Sequence, residues 1–137
     1  MRESLYTKGL ARVALVSGAR TNGTVNGAAV DSGIFGNDFR TVFFIVQTGT
    51  ITDGTHAVAV QDSADGSTGW ANVDAATLTG TVPTIGSADD DVVFQFAHVL
   101  QKQYVRLTVT TSGATTGGIF AAVAVLYDAS SEPVARS

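Results

Sequence analysis

The chain carries two histidines, His56 and His98, and no cysteine. Nucleophilic catalysis would therefore have to use a serine or threonine activated by one of two imidazoles and oriented by an aspartate. Neither histidine sits in a pattern that such chemistry uses. No Gly-x-Ser-x-Gly turn, His-Glu-x-x-His helix or phosphate-cradling loop occurs in the sequence. His56 opens one alternating run and His98 closes another, positions where an imidazole ordinarily satisfies backbone or water, so no catalytic residue is assigned. Oxygen ligation of a cation is the second chemistry to weigh. Asp62, Asp65 and Asp74, with Ser63 and Ser67, could present oxygens to calcium, but they lack the ligand spacing and closing glutamate of an EF-hand loop. Asp65-Gly66 reads instead as a tight turn, and no metal or cofactor is expected. The triplet Asp89-Asp90-Asp91 could dock a basic partner, yet it reads first as a solvated loop whose like charges guard the strand that follows. Trp70, with Tyr104 and Tyr127, could stack on a sugar ring. Carbohydrate modules usually expose several aromatics, so packing is the expected role of this tryptophan.

The elements that must position these groups follow from composition. At 137 residues the chain is the size of one domain, 1–137, long enough to bury roughly two thirds of its unfolded surface. Without cysteine it has neither a disulfide framework nor a thiolate metal site. The net charge of −4 and the scatter of the eight basic residues argue against a nucleic-acid surface. Charged residues make up only 15% of the chain, and Thr, Ser and Gly fill the gap, a composition of strands and turns rather than helices. The apolar run Leu10–Val16 is short and contains Arg12, so neither a membrane span nor a signal-peptide core is expected, and synthesis in the cytoplasm is.

Strand signals recur every 8 to 15 residues or so, the rhythm of a sandwich or barrel. The predicted strands are Leu10–Val16, Ala28–Val30, Phe39–Thr48, Thr55–Asp62, Trp70–Val73, Val92–Val99, Gln103–Thr111 and Ile119–Tyr127. Between them lie Ser17–Gly27, Gly49–Gly54, Ser63–Gly69, Leu78–Asp91 and Ser112–Gly118, each with Gly beside Asn, Asp, Ser or Thr. The fold class predicted is all-β, an antiparallel β-sandwich of about eight strands. A jelly roll is favoured because Leu78–Asp91 resembles a crossing connection more than a hairpin turn, with an immunoglobulin-like sandwich as the alternative. Two strands are apolar on both sides. Phe39, Phe43 and Ile45 alternate with Val42, Phe44 and Val46, and Ile119, Ala121, Val123, Val125 and Tyr127 alternate with Phe120, Ala122, Ala124 and Leu126. Such strands need cover twice, which predicts the middle of a sandwich or a subunit interface.

Several segments in a fixed order carry a family resemblance. They are Ala29-Val30-Asp31 ahead of a Gly and a Phe, then FRTVFFIVQTGTITDG, HAVAVQDSADGSTGW and, after the linker, KQYVRLTVTTSG before a last apolar strand. Together, over residues 28–127, they resemble the small head proteins of tailed bacteriophages known as decoration, cement or minor capsid proteins. The features that carry it are Asp31, Gly49 with Asp53-Gly54, Asp62 to Gly66, and Lys102 to Leu107. Met1 to Gly27 has no counterpart in that pattern. The resemblance implies a non-enzymatic virion protein on the outside of an icosahedral head, bridging neighbouring major capsid subunits against the pressure of packaged DNA. It implies the major capsid protein and further copies of the chain as partners. A dimer is favoured slightly over a trimer, because isologous pairing of one apolar sheet face is the simplest use of the surplus hydrophobic strand, and no nucleic-acid or membrane partner is expected. The residues expected to touch the capsid or a sister subunit are Met1, Arg2, Glu3, Ser4, Leu5 and Tyr6 in the leader, Arg40 and Arg106 amid apolar strands, and Val134 and Arg136 in the tail. Residues 1–9 and 129–137 read as extended arms or as disordered ends. The alternative from another class is a carbohydrate-binding or adhesive β-sandwich of a tail, fibre or cell surface, using Trp70. A small hydrolase would need His56 or His98 paired with Ser and Asp in a pocket.

Overall fold

Alternation of side chains builds two sheets. The computed structural model of the chain describes residues 4–137. Its strands are β1 (Leu10–Arg20), β2 (Gly23–Asn26), β3 (Val30–Asp31), β4 (Thr41–Ile51), β5 (Thr55–Ser63), β6 (Ala71–Asn72), β7 (Leu78–Thr79), β8 (Thr84–Ile85), β9 (Val93–Val99), β10 (Tyr104–Ser112) and β11 (Gly118–Tyr127). A four-residue α-helix, α1 (Leu5–Lys8), precedes them, its first turn capped by the Ser4 hydroxyl, which accepts from the Thr7 amide. One sheet runs β1-β11-β4-β9-β7 and the other β2-β10-β5-β6, with β3 also pairing β10 and β8 also pairing β5. All pairings are antiparallel.

The route of the chain identifies the sandwich type. From β1 it passes to β2 in the other sheet, back to β4, across to β5, back to β9, across to β10 and back to β11. Among the long strands no consecutive pair forms a hairpin. An immunoglobulin sandwich keeps several consecutive strands in one sheet, whereas crossing at each step is the jelly-roll arrangement. The linker 78–91 makes one of these crossings, as its length suggested.

The core lies between the sheets. Val42, Phe44 and Val46 of β4 point inward and are at most 1% exposed, and Phe44 meets Phe96 of β9 with ring centroids 5.4 Å apart. From β11 come Phe120, Ala122, Ala124 and Leu126, and from the facing sheet Val58, Val60, Val105, Leu107 and Val109. Each large side chain buried in this way stabilises the fold by about 1.5–3 kcal/mol before entropy is charged against it. The small Ala122 and Ala124 let the layers approach closely there.

Three sequence expectations need correction. Phe39 does not share the outer side of Phe43 and Ile45: β4 starts at Thr41, and Phe39, in the preceding connection, is buried in the core. The segments 23–26, 78–79 and 84–85, read as turn or linker, are short edge strands. Their two to four residues offer too little alternation to be seen against Gly, Thr and Asn. Finally, β1 runs four residues beyond Val16, because register shifts between Val13 and Leu15 and between Leu15 and Gly18 break its alternation without ending it.

Both sandwich edges are stitched. On one, the Gly27 amide donates to the Leu107 carbonyl at 2.7 Å and the Ala28 amide to the Ala14 carbonyl at 2.9 Å, tying the sheets together where the chain crosses. On the other, β6 and β8 cover β5 while the excursion between them places β7 against β9, pairing Leu78 with His98.

Candidate interaction surface

Since one side of β4 and β11 fills the core, the register of the first sheet aligns their other side into rows. Val13, Val123, Ile45 and Gln95 form one row across β1, β11, β4 and β9, and Ala11, Val125, Phe43 and Ala97 form the next. Val13, Val16, Val93, Val99, Ile119 and Val123 are between 41 and 68% exposed. The two arginines of these strands lie off the face: Arg20 is buried above the Phe120 ring and bonded to the Val16 carbonyl, and Arg12 reaches the Phe35 ring, 5.5 Å from its centroid. The face therefore carries no charged strand side chain. At its rim Leu5 of α1, 70% exposed, borders a hollow of about 560 Å³ lined by Phe43, Ile45, Val125 and Tyr127, with Ser4 and Lys8 as its polar wall. Contiguous apolar surface of this kind marks an interaction site.

The outer face of the second sheet is different. Thr55, Ala57 and Gln61 of β5 and Arg106 and Thr110 of β10 point outward there, and the Thr24 and Thr110 hydroxyls lie 3.2 Å apart. That side is wet, so the sandwich has one polar and one apolar outer face.

The remaining expected contact residues divide between these features. Met1, Arg2 and Glu3 lie outside the described residues. Ser4, Leu5, Tyr6, Arg40, Val134 and Arg136 come together at one end of the sandwich, but the segments holding them are packed on the body rather than extended as arms. The Val134 amide donates to the Thr7 carbonyl at 2.9 Å and its side chain is buried; Arg136 donates to the Gly9 carbonyl at 2.9 Å and stacks on Tyr6 at 3.8 Å. Lys8 pairs with Glu132 at 3.6 Å. Asn37 clamps the tail from the other side, its Nδ2 donating to the Ala135 carbonyl at 2.8 Å and its Oδ1 accepting from the Ala135 amide at 2.7 Å. Arg40 is exposed, with its amide on the Asp128 carbonyl, and borders an open cleft with Asp38, Gln101, Lys102 and Gln103. Arg106 is elsewhere, on the polar face, where it donates twice to Gln61 Oε1 at 2.8 and 3.1 Å and covers the Trp70 ring at 4.2 Å.

The groups that could do chemistry are spread apart and tied down. His56 is buried, with Nδ1 2.8 Å from Thr111 Oγ1 and Nε2 3.1 Å from the Asp53 carbonyl. His98, also buried, bonds Thr77 Oγ1 through Nδ1 at 2.9 Å, and its Nε2 has no partner among the described residues. Burial lowers the His98 pKa, opposed by the Asp62 charge and the bond with Thr77. Asp62 points into the interior and pairs with Lys102 at 3.8 Å, Asp65 accepts the Ser67 and Thr68 amides of its own turn, and Asp74 caps a short 3₁₀ turn through the Ala76 amide. Among the described residues no three His, Cys, Asp or Glu side chains converge as a metal site.

The Thr68 hydroxyl and the Thr68 and Ser67 amides hold the Asp65 carboxyl well below the usual carboxylate range. Asp53 is lowered in the same way by the amides of Gly117, Thr116 and Thr115. Asp89 and Asp90 are also used internally, accepting the Gly86 and Ile51 amides at 2.8 and 2.7 Å. Trp70, Tyr104 and Tyr127 form no common platform: Tyr127 belongs to the other sheet, Tyr104 packs on Gly66, and one face of Trp70 is covered by Arg106.

Sequence reasoning found the β4 and β11 parts of the apolar face from their double alternation. It missed Val13, Val16, Val93 and Val99. The phase of β1 is broken by its bulges, and in β9 the outward valines are separated by Gln95 and Ala97. Set against known protein families and curated protein sequences, the chain matches none.

Proposed function

We propose that this chain is a structural protein of a tailed-bacteriophage particle, attached to the outside of the head, where it ties neighbouring major capsid subunits together. The observation that carries this reading is the apolar outer face of the β1-β11-β4-β9 sheet, which bears no charged strand side chain and leaves hydrophobic surface suited to burial in an assembly, sister copies included. The ordered motif pattern from Asp31 to Leu107 supplies the class of particle. Attachment in many symmetric copies turns modest contacts into firm hold by avidity, so no single deep pocket is required. The role is mechanical and needs no reaction.

Binding to purified expanded heads that lack the protein tests the reading. Co-sedimentation with the heads, together with a raised temperature of head disruption, is the expected result. A protein that neither co-sediments at micromolar concentration nor shifts that temperature overturns it.

A further inference from the structure

We propose that the apolar outer face of the β1-β11-β4-β9 sheet is where two copies of this chain pair, sheet against sheet about a two-fold axis. The inference rests on the reading of the chain as an assembly protein and names the occupant of that surface.

Charge argues first for a second copy. Each chain carries a net charge of −4, so two copies repel wherever their charged surfaces approach. The one broad face free of charged strand side chains is where they can meet without that cost. The rows Val13-Val123-Ile45-Gln95 and Ala11-Val125-Phe43-Ala97 hold no ion of either sign, and Lys8, at the rim by the hollow, pairs with Glu132 of its own chain. Area argues next. The six exposed aliphatic side chains of the face, with Leu5 and the half-buried Phe43 and Ile45, present on the order of 800 Å² of apolar surface, the share one partner contributes to an interface of standard size.

Shape supplies the third argument. Two-fold pairing needs a surface that complements itself. Here a projection, Leu5 at 70% exposure, stands beside a hollow of about 560 Å³ on the same face, so rotation about an axis near Val123 can bring each projection toward the other copy's hollow. Sheets packed face to face in this way sit about 10 Å apart with interdigitated side chains, so the pair would repeat between chains the packing already present within each.

Sedimentation equilibrium of the full chain tests the proposal, with three variants. Gln95 is exposed and already polar, so Gln95→Glu threatens the fold little, yet pairing would bury its charge, unpaired, among apolar side chains. Its dimer should be roughly a hundredfold weaker than that of the unmodified chain. Val123→Lys should behave alike, while Thr110→Lys on the polar face should leave the dimer intact.

A chain that is monomeric at about 100 μM, or a Gln95→Glu variant that pairs with unchanged affinity, overturns the proposal. Head binding by the same variants separates the two readings. Loss of pairing in Gln95→Glu with head binding retained per chain supports this interface. Head binding abolished by Gln95→Glu in a chain that never pairs assigns the face to the capsid and overturns the inference. A dimer that ignores heads leaves the interface standing and removes the capsid reading instead.

Discussion

Val123 of β11 stands directly opposite Ile45 of β4 with both side chains on the outer face, while the adjacent pair, Ala122 and Val46, faces the core. A step of one residue along either strand thus separates groups that hold the fold from groups available for assembly.

Neighbouring phenylalanines make that separation measurable. Phe44 is buried against Phe96, so Phe44→Ala should cost about 3–5 kcal/mol in urea unfolding. Phe43, half-buried on the outer face, should cost roughly 1 kcal/mol when truncated in the unassembled chain. Equal losses would mean that the two faces are assigned wrongly.

The alternation in β4 and β11 divided their side chains into two apolar faces from sequence, because a strand's period of two is rigid and each strand is long enough to show it, but which face meets the core came only from the fold. The jelly-roll route was legible only through the length of one linker. What stayed hidden has physical reasons. β2 and β8 are too short for periodicity, the β1 bulges reset the phase between Val13 and Gly18, and Phe39 lies two residues before β4, where strand parity does not apply. The Asn37 clamp left no sequence signal, since a single asparagine pairing across 98 positions resembles any loop residue.

Acid should loosen the interior near His98. Its folded pKa is lowered from 6.5 by burial, so below that pH the unfolded chain takes up a proton that the folded chain resists. Stability is fully present above pH 6.5 and falls as the pH drops from there through the folded pKa. Urea midpoints measured down the pH scale should show the decline, and an NMR titration of the His98 ring should give a midpoint below 6.5. A midpoint at or above the unfolded value would refute it.

The crossing at Gly27 tolerates no side chain. A β-carbon there would lie 2.3 Å from the Ala14 carbonyl oxygen and 2.8 Å from that of Leu107, both backbone atoms. Gly27→Ala should therefore destabilise the chain by at least about 1–3 kcal/mol, since the sheets must part to admit it. A melting temperature unchanged from the parent would show that the edge is looser than this geometry.

Asp53 holds the turn before β11. Its carboxylate accepts the Thr115, Thr116 and Gly117 amides, the shortest at 2.6 Å. In Asp53→Ala these three amides should exchange hydrogen faster while those in the middle of β10 and β11 keep their protection. Uniform acceleration throughout the chain would indicate global destabilisation and argue against a local clamp.

The strand order also governs when a copy can exist at all. In the first sheet β11, the last of these strands in chain order, lies between β1 and β4, and no other described strand joins those two. A nascent or prematurely ended chain therefore holds its earliest strand with nothing to pair it, and the sheet that bears the apolar face closes only once residues 118–127 have left the ribosome. Synthesis of residues 118–127 is in this way a condition for forming that face, and products truncated before them lack the ladder on which it is built.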